Sequence, residues 1–292
     1  MHDYSQLDAL SAVIRTGGFD AAATQLGVTP SAISQRIKLL EERVGTVLVK
    51  RGQPCTGTAA GRQLAMHANQ VRLMEKALDF GVPQADTLTP VRIAVNADSL
   101  ATWLLPALAG CDGFLYDLII DDQDHSADWL RAGEVAAAVA GHPGPVQGCD
   151  SHSLGAMRYF ATASPDYMAR HMPDGPTAEA FERAPAMTFN GKDRLQTDWA
   201  KTIAGRAVNL PKHRLASSHG FVEAARLGIG WGMNPESLCH EQLANGDLVE
   251  VSPNAPMDVP LYWQVSRLTA APLRALTTSV MQQARKVLIQ EP

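Results

Sequence analysis

Long apolar runs are missing from this 292-residue chain. The run Val135-Ala136-Ala137-Ala138-Val139-Ala140 falls far short of the roughly 20 residues that a membrane-spanning helix needs. The opening Met1-His2-Asp3-Tyr4 has neither the basic nor the apolar part of a secretion signal, so the expected location is the cytoplasm, away from membranes. Cysteine is scarce: Cys55, Cys111, Cys149 and Cys239 lie far apart and form no CxxC pair, which argues against zinc and for reduced thiols. The nine histidines include no i, i+4 pair, so no metal site and no cofactor are expected. Charged residues make up only 19% and apolar ones 46%, the balance of a globular protein and not of a disordered one. The length suits two or three modules.

Net charge is −5, but it is unevenly spread. Residues 1–62 hold seven basic side chains (Arg15, Arg36, Lys38, Arg43, Lys50, Arg51, Arg62) against five acids, leaving 18 bases against 25 acids for the rest. A mildly basic head on an acidic body confines phosphate attraction to one end and makes DNA affinity dependent on dimerisation.

That head reads as a helix-turn-helix. Residues 19–26 form a short Ala-rich helix, Gly27 suits a left-handed C-cap, and Thr29 with Pro30 begins a second helix over 31–41. On the second helix Ile33, Ile37 and Leu40 make one apolar stripe. Ser31, Gln35 and Lys38 point the opposite way with Ser34 and Arg36 on the flanks, hydrogen-bonding side chains of the kind that reach base edges and phosphates. An ordinary amphipathic helix would share the stripe; the capped turn and the preceding helix favour DNA. A strand at 46–51 and a turn at 52–57 suggest a wing carrying Lys50 and Arg51. Thr58 then caps a helix to about residue 80, with Leu64, Ala68, Val71, Met74 and Leu78 along a seam fit for a dimer or for packing on its own domain. Residues 81–90 read as a hinge.

Beyond it the texture alternates: strands at 91–96, 116–121 and 135–140, helices at 99–109 and 126–133. This order implies a parallel sheet covered by helices, and a similar set is expected over 163–267 before a closing helix carrying Leu273, Leu276, Val280, Ala284 and Val287. Two α/β lobes imply a ligand cleft at the carboxyl ends of the strands.

The order of parts resembles the LysR-type transcriptional regulators, and the run 31–41 is very similar to that family's recognition helix. Tyr4, Leu7, residues 9–10, 12–15 and 18–19, and the stretch 96–108, are similar to the arginine/lysine-responsive subgroup, also described as chromosome-initiation inhibitors. The resemblance implies an α/β protein with an N-terminal winged helix-turn-helix (1–60), a linker helix (58–82) and a two-lobed periplasmic-binding-protein-like effector domain (90–292). Lobe 1 would span about 90–162 and 268–292, and lobe 2 about 163–267. It implies double-stranded DNA, a homodimer or tetramer, RNA polymerase and a small-molecule effector as partners, and control of basic amino-acid export or metabolism. The chain departs from relatives at the wing, where Cys55-Thr56-Gly57 stands in place of a second basic residue.

The DNA-contacting set is therefore Thr29, Ser31, Ser34, Gln35, Arg36, Lys38, Lys50 and Arg51. For the effector, Asp98 can cap the helix beginning at Ser99, whose N-terminus together with the Ser99 and Thr102 hydroxyls suits a carboxylate, with Asn96 beside it. Asp121, Asp122 and Asp124 cluster at the end of the second strand, where mutual repulsion would favour a bound cation. A lysine or arginine effector would bridge the two; the alternative is a capping aspartate and a solvated acidic loop. Asn190, Asp193, Ser217 and Ser218 are further candidates from the second lobe. Two other functions compete. An enzyme is disfavoured, because Gly228-Ile229-Gly230-Trp231-Gly232 lacks the strand–helix context of a nucleotide loop and no nucleophile–base pairing is seen. An architectural DNA protein, or a replication-origin-binding inhibitor, would need no effector.

Overall fold

The computed structural model describes residues 3–76, 88–121 and 126–290. Three helices build the head: α1 (Tyr4–Thr16), α2 (Phe19–Leu26) and α3 (Pro30–Val44). They close over Leu7, Leu10, Val13, Ile33, Ile37 and Leu40, all essentially excluded from solvent. Gly27 takes φ 63° at the end of α2, and the Thr29 hydroxyl accepts from Ala32 N–H with Pro30 at the first position of α3. The recognition helix runs three residues beyond the expected 41, ending on Gly45 at φ 80°. The wing is shorter than the sequence implies, with β1 (Val49–Lys50) pairing antiparallel with β2 (Thr56–Gly57). Its approach is held by a side chain instead of a ladder: the Glu41 carboxylate accepts from Leu48 N–H at 2.7 Å and Val49 N–H at 3.2 Å.

Helix α4 (Ala59–Lys76) starts on Thr58, whose hydroxyl accepts from Gly61 N–H. Gly61 is required by contact: a Cβ there would lie 1.9 Å from the Leu48 carbonyl oxygen. The apolar seam of this helix is partly consumed within the chain. Leu64 and Ala68 belong to the head core, and Leu73 to the core of the body. Met74 remains exposed, while Leu78 and the hinge at 81–87 lie outside the described residues.

The body opens with β3 (Thr89–Val95), followed by α5 (Ala97–Ser99), a π-helical turn (Leu100–Leu104) and α6 (Leu105–Ala109). Then come β4 (Phe114–Ile120), α7 (Ser126–Arg131) and β5 (Ala137–Ala140). β3 pairs in parallel with both β4 and β5, as the alternating pattern implies. The next element was not anticipated: β6 (Cys149–Ala163) is a 15-residue strand crossing from one lobe to the other. The second lobe adds α8 (Pro165–His171), α9 (Ala178–Phe181), β7 (Ala186–Thr188), α10 (Leu195–Ala204) and β8 (Lys212–Arg214). It continues with α11 (Ser218–Arg226), β9 (Gly232–Pro235), α12 (Glu236–Asn245) and β10 (Val249–Glu250). β11 (Met257–Ser266) returns antiparallel to β6, and α13 (Arg274–Val287) closes the first lobe with Leu276, Val280 and Ala284 buried. Val287, expected in that stripe, is exposed.

The main sheet runs β10-β6-β11-β5-β3-β4, with β9 also on β6, while β7 and β8 form a separate parallel pair. The second lobe is therefore not a repeat of the first; the long antiparallel strands knit the two together. Their register slips between Leu261 and Tyr262, opposite Gly155 at φ 103°, where a Cβ would meet the Ile289 carbonyl oxygen at 2.4 Å. Within the second lobe Phe181, Trp199 and Trp231 pack with ring centroids 5.3–5.9 Å apart.

Candidate functional site

Two surfaces carry chemistry. On the head, α3 turns Ser31, Gln35 and Lys38 to solvent, with Ser34 and Arg36 half-buried at the edges of that face. Thr29 is exposed, its hydroxyl engaged at the helix start. Lys38 Nζ stands 3.8 Å from Glu42, an exposed pair worth under about 1 kcal/mol, which a phosphate can replace. Lys50 and Arg51 are exposed on the wing, and the Arg51 guanidinium lies 5.4 Å from the centre of the Phe19 ring. That cation–π contact pre-sets its position. The wing is anchored to the end of α1 by Cys55 N–H donating to the Gly17 carbonyl at 2.7 Å.

The second surface is a cavity between the lobes that is partly open to solvent. Asn96, Ala97, Asp98 and Asp121 line it from the first lobe, where β3 and β4 end side by side and Asp121 N–H donates to the Val95 carbonyl. From the second lobe come Phe189, Asp193, Leu195, Gln196, Ser218, Phe221, Met233, Asn234 and Pro235. This is the crevice beyond the carboxyl ends of parallel strands, where open α/β sheets bind ligands.

Its electrostatics are one-sided. Asp98 accepts from the Tyr159 hydroxyl at 2.7 Å. Burial pushes its carboxyl above the usual aspartate value, the nearby Ser218 hydroxyl and the Tyr159 hydrogen bond pull it back, and the Asp193 charge raises it further. Asp193 is pinned by Phe189 N–H (2.8 Å), Leu195 N–H (3.0 Å) and the Thr188 hydroxyl (3.2 Å). Asp121 accepts from Trp129 Nε1 at 2.9 Å. Among the described residues no lysine or arginine lines the cavity. Asn234, fully buried, donates to the Thr162 hydroxyl while its Oδ1 has no partner among the described residues. The N-terminus of α11 opens at the same place, since Ser218 is its first residue and Ser217 its cap. Carboxylates beside a helix N-terminus offer a cation acceptor and an anion donor together.

Residues 4–62 match the family model for the bacterial regulatory helix-turn-helix protein, lysR family, and residues 86–285 match the LysR substrate binding domain. The chain belongs to the LysR family. It is 46% identical over 280 residues to the HTH-type transcriptional regulator LysG of Mycobacterium tuberculosis, covering 95% of this chain and 92% of that one. Among solved structures, ArgP from Mycobacterium tuberculosis superposes with a TM-score of 0.79 at 43% identity, covering all of both chains. Full-length LysG from Corynebacterium glutamicum, solved with bound effector Arg, gives 0.65 at 35% identity over 99% of this chain and 100% of that one. This LysR-type chain is thus a DNA-binding transcriptional regulator, with the winged head and two-lobed effector domain of its relatives.

The structure brings only part of the expected effector set together. Asn96 and Asp98 line the cleft, but Asp98 does not cap: Asn96 occupies the N-cap position of α5, so Asp98 lies inside the first turn and faces Tyr159. Ser99 is wholly buried and outside the lining. Thr102 spends its hydroxyl on the Asp98 carbonyl at 2.6 Å and borders a different cavity. Both point away because the helix starts two residues earlier than expected. Asn190 also misses the lining, its Oδ1 accepting from Lys192 N–H and Asp193 N–H, and Ser217 turns to Gly220 N–H as the α11 cap. Asp122 and Asp124 lie outside the described residues. Sequence reasoning missed Gln196 and Asn234: Asn234 is marked only by its polarity between Met233 and Pro235, and Gln196, followed by Thr197 and Asp198, by nothing local.

Proposed function

We propose that this LysR-type regulator is switched by a basic amino acid, arginine or lysine, held in the interlobe cleft. The observation that carries this reading is the lining of the cavity: three carboxylates and a helix N-terminus, with a single lysine, Lys192, reaching Asp121 from the rim among the described residues. An amino-acid head group presents its ammonium to Asp98 and its carboxylate to Ser218 and the start of α11, while a cationic side chain extends toward Asp121. The arginine held by the Corynebacterium glutamicum relative supports the same class of ligand.

Thr29, Ser31, Ser34, Gln35, Arg36 and Lys38 then read the major groove and its phosphates, with Lys50 and Arg51 on the adjoining backbone. Paired heads of a homodimer, or a tetramer built from it, engage half-sites about one helical turn or its multiples apart. The working divisions of the chain are a head over 1–60, a linker helix over 58–82 and an effector domain over 90–292. Ligand acts by binding one lobe arrangement more tightly than the other, and the heads and RNA polymerase respond to that shift in the cytoplasm, with no catalytic step. Fluorescence anisotropy on the upstream duplex and a scrambled control, with and without each amino acid, tests this. Upstream preference that moves with one amino acid supports the reading; equal binding to both duplexes, unmoved by either, overturns it in favour of an architectural protein.

A further inference from the structure

The cleft has a cation at its edge. Lys192, on the loop between β7 and α10 of the second lobe, reaches across to the first and donates to Asp121 at 3.1 and 3.4 Å to its two carboxylate oxygens. Asp121 is mostly enclosed, its side chain 16% exposed, whereas Lys192 is 49% exposed. The backbone under Lys192 is fixed, because Asn190 Oδ1 accepts from its N–H at 2.7 Å and the pinned Asp193 follows directly. Its four-carbon stem remains free to swing.

We propose that Lys192 is a tethered stand-in for the side-chain cation of the effector, one that neutralises Asp121 whenever no effector is bound and must be displaced for the ligand to seat. The inference rests on the basic-amino-acid reading above. Three carboxylates around one small cavity repel each other, and a lysine from the opposite lobe relieves part of that repulsion without filling the space. A free arginine or lysine therefore competes with an intramolecular rival, which lowers apparent affinity by the strength of the resident pair. For an ion pair this exposed, that is about two- to fivefold. A neutral analogue of the same shape offers Asp121 no charge with which to outcompete the ammonium and leaves the resident pair in place. Lys192 thus sets both the concentration at which the switch responds and its bias toward cations.

Calorimetry on the full-length protein tests this with arginine and with citrulline, which keeps the shape and lacks the charge. Lys192→Met binds arginine two- to fivefold tighter than the unmodified protein and citrulline no differently. The gain disappears when Asp121→Asn is added, since the two residues act as one pair. Lys201→Met, which removes an equal charge from α10, leaves arginine affinity unchanged. Arginine binding that is unaltered or weaker in Lys192→Met, or a gain shared by citrulline or by Lys201→Met, overturns the proposal while leaving the effector reading intact. An unmodified protein that binds neither arginine nor lysine overturns the effector reading, and this inference with it.

Discussion

Asp98→Asn separates charge from shape at the floor of the cleft. The amide keeps an oxygen to accept the Tyr159 hydroxyl now bonded at 2.7 Å, and it preserves side-chain volume, so the lobes should hold their positions. What disappears is the negative charge facing the ligand's ammonium. Removing one partner of an enclosed, hydrogen-bonded charge pair costs roughly 2–5 kcal/mol, or about thirtyfold to several thousandfold in affinity. Stability should move the other way. The folded-state carboxyl is raised above 3.8 by burial, so the native protein holds a proton over a window where the unfolded chain has released it. Stability therefore falls as pH rises through that window and stays lower above it. The asparagine protein escapes this penalty: it melts higher than the unmodified protein at neutral pH, and the gap closes as pH falls toward 3.8. Arginine raises the melting temperature of the unmodified protein alone, and in the pH window where the buried carboxyl holds its proton, binding releases that proton because a cation restores the ionised form. Calorimetric titration in buffers of different ionisation enthalpy, with melts across pH, reads all three effects. Unchanged arginine affinity in Asp98→Asn, or a melting temperature below the unmodified protein at neutral pH, refutes the reasoning.

The remaining predictions concern the head. Gln35→Ala removes an exposed amide from the groove face and should cost about 1–3 kcal/mol on the cognate duplex with little loss on scrambled DNA, measured by anisotropy. Arg51→Ala should weaken all duplexes alike and lower the slope of log affinity against log salt by about one. Gly61→Ala forces a methyl to within 1.9 Å of the Leu48 carbonyl, so the head should lose about 3 kcal/mol or more; a circular-dichroism melt indistinguishable from the unmodified protein would contradict the close approach.

The head was legible because its signals are local. Gly27, Thr29, Pro30 and the stripe of Ile33, Ile37 and Leu40 each act within a turn or two of their own position. The parallel start of the body was equally plain from the apolar strands at 89–95 and 137–140. β6 was not, because it belongs to two environments along its length. Ser151, His152 and Ser153 meet partly open surroundings, Gly155 interrupts the alternation at the bulge, and only residues 159–163 read as buried strand. The cleft was half-legible for a related reason. Asp98 and Asp121 sit at the ends of recognisable strands and Ser218 at a recognisable helix start, whereas Gln196 and Asn234 come from two separate elements whose convergence is wholly tertiary.

The second lobe leaves along β6 and returns along β11, and those strands are antiparallel neighbours. Its two ends therefore emerge side by side, which makes it an insert with a single point of attachment. Such a segment can be exchanged between relatives by two cuts a few ångströms apart, without disturbing the head, the linker or the closing helix. Asp193, Ser218, Asn234 and Lys192 would travel with the insert, while Asp98 and Asp121 would stay behind. Half of the cleft lining could therefore be replaced in one exchange, with the first-lobe half left in place.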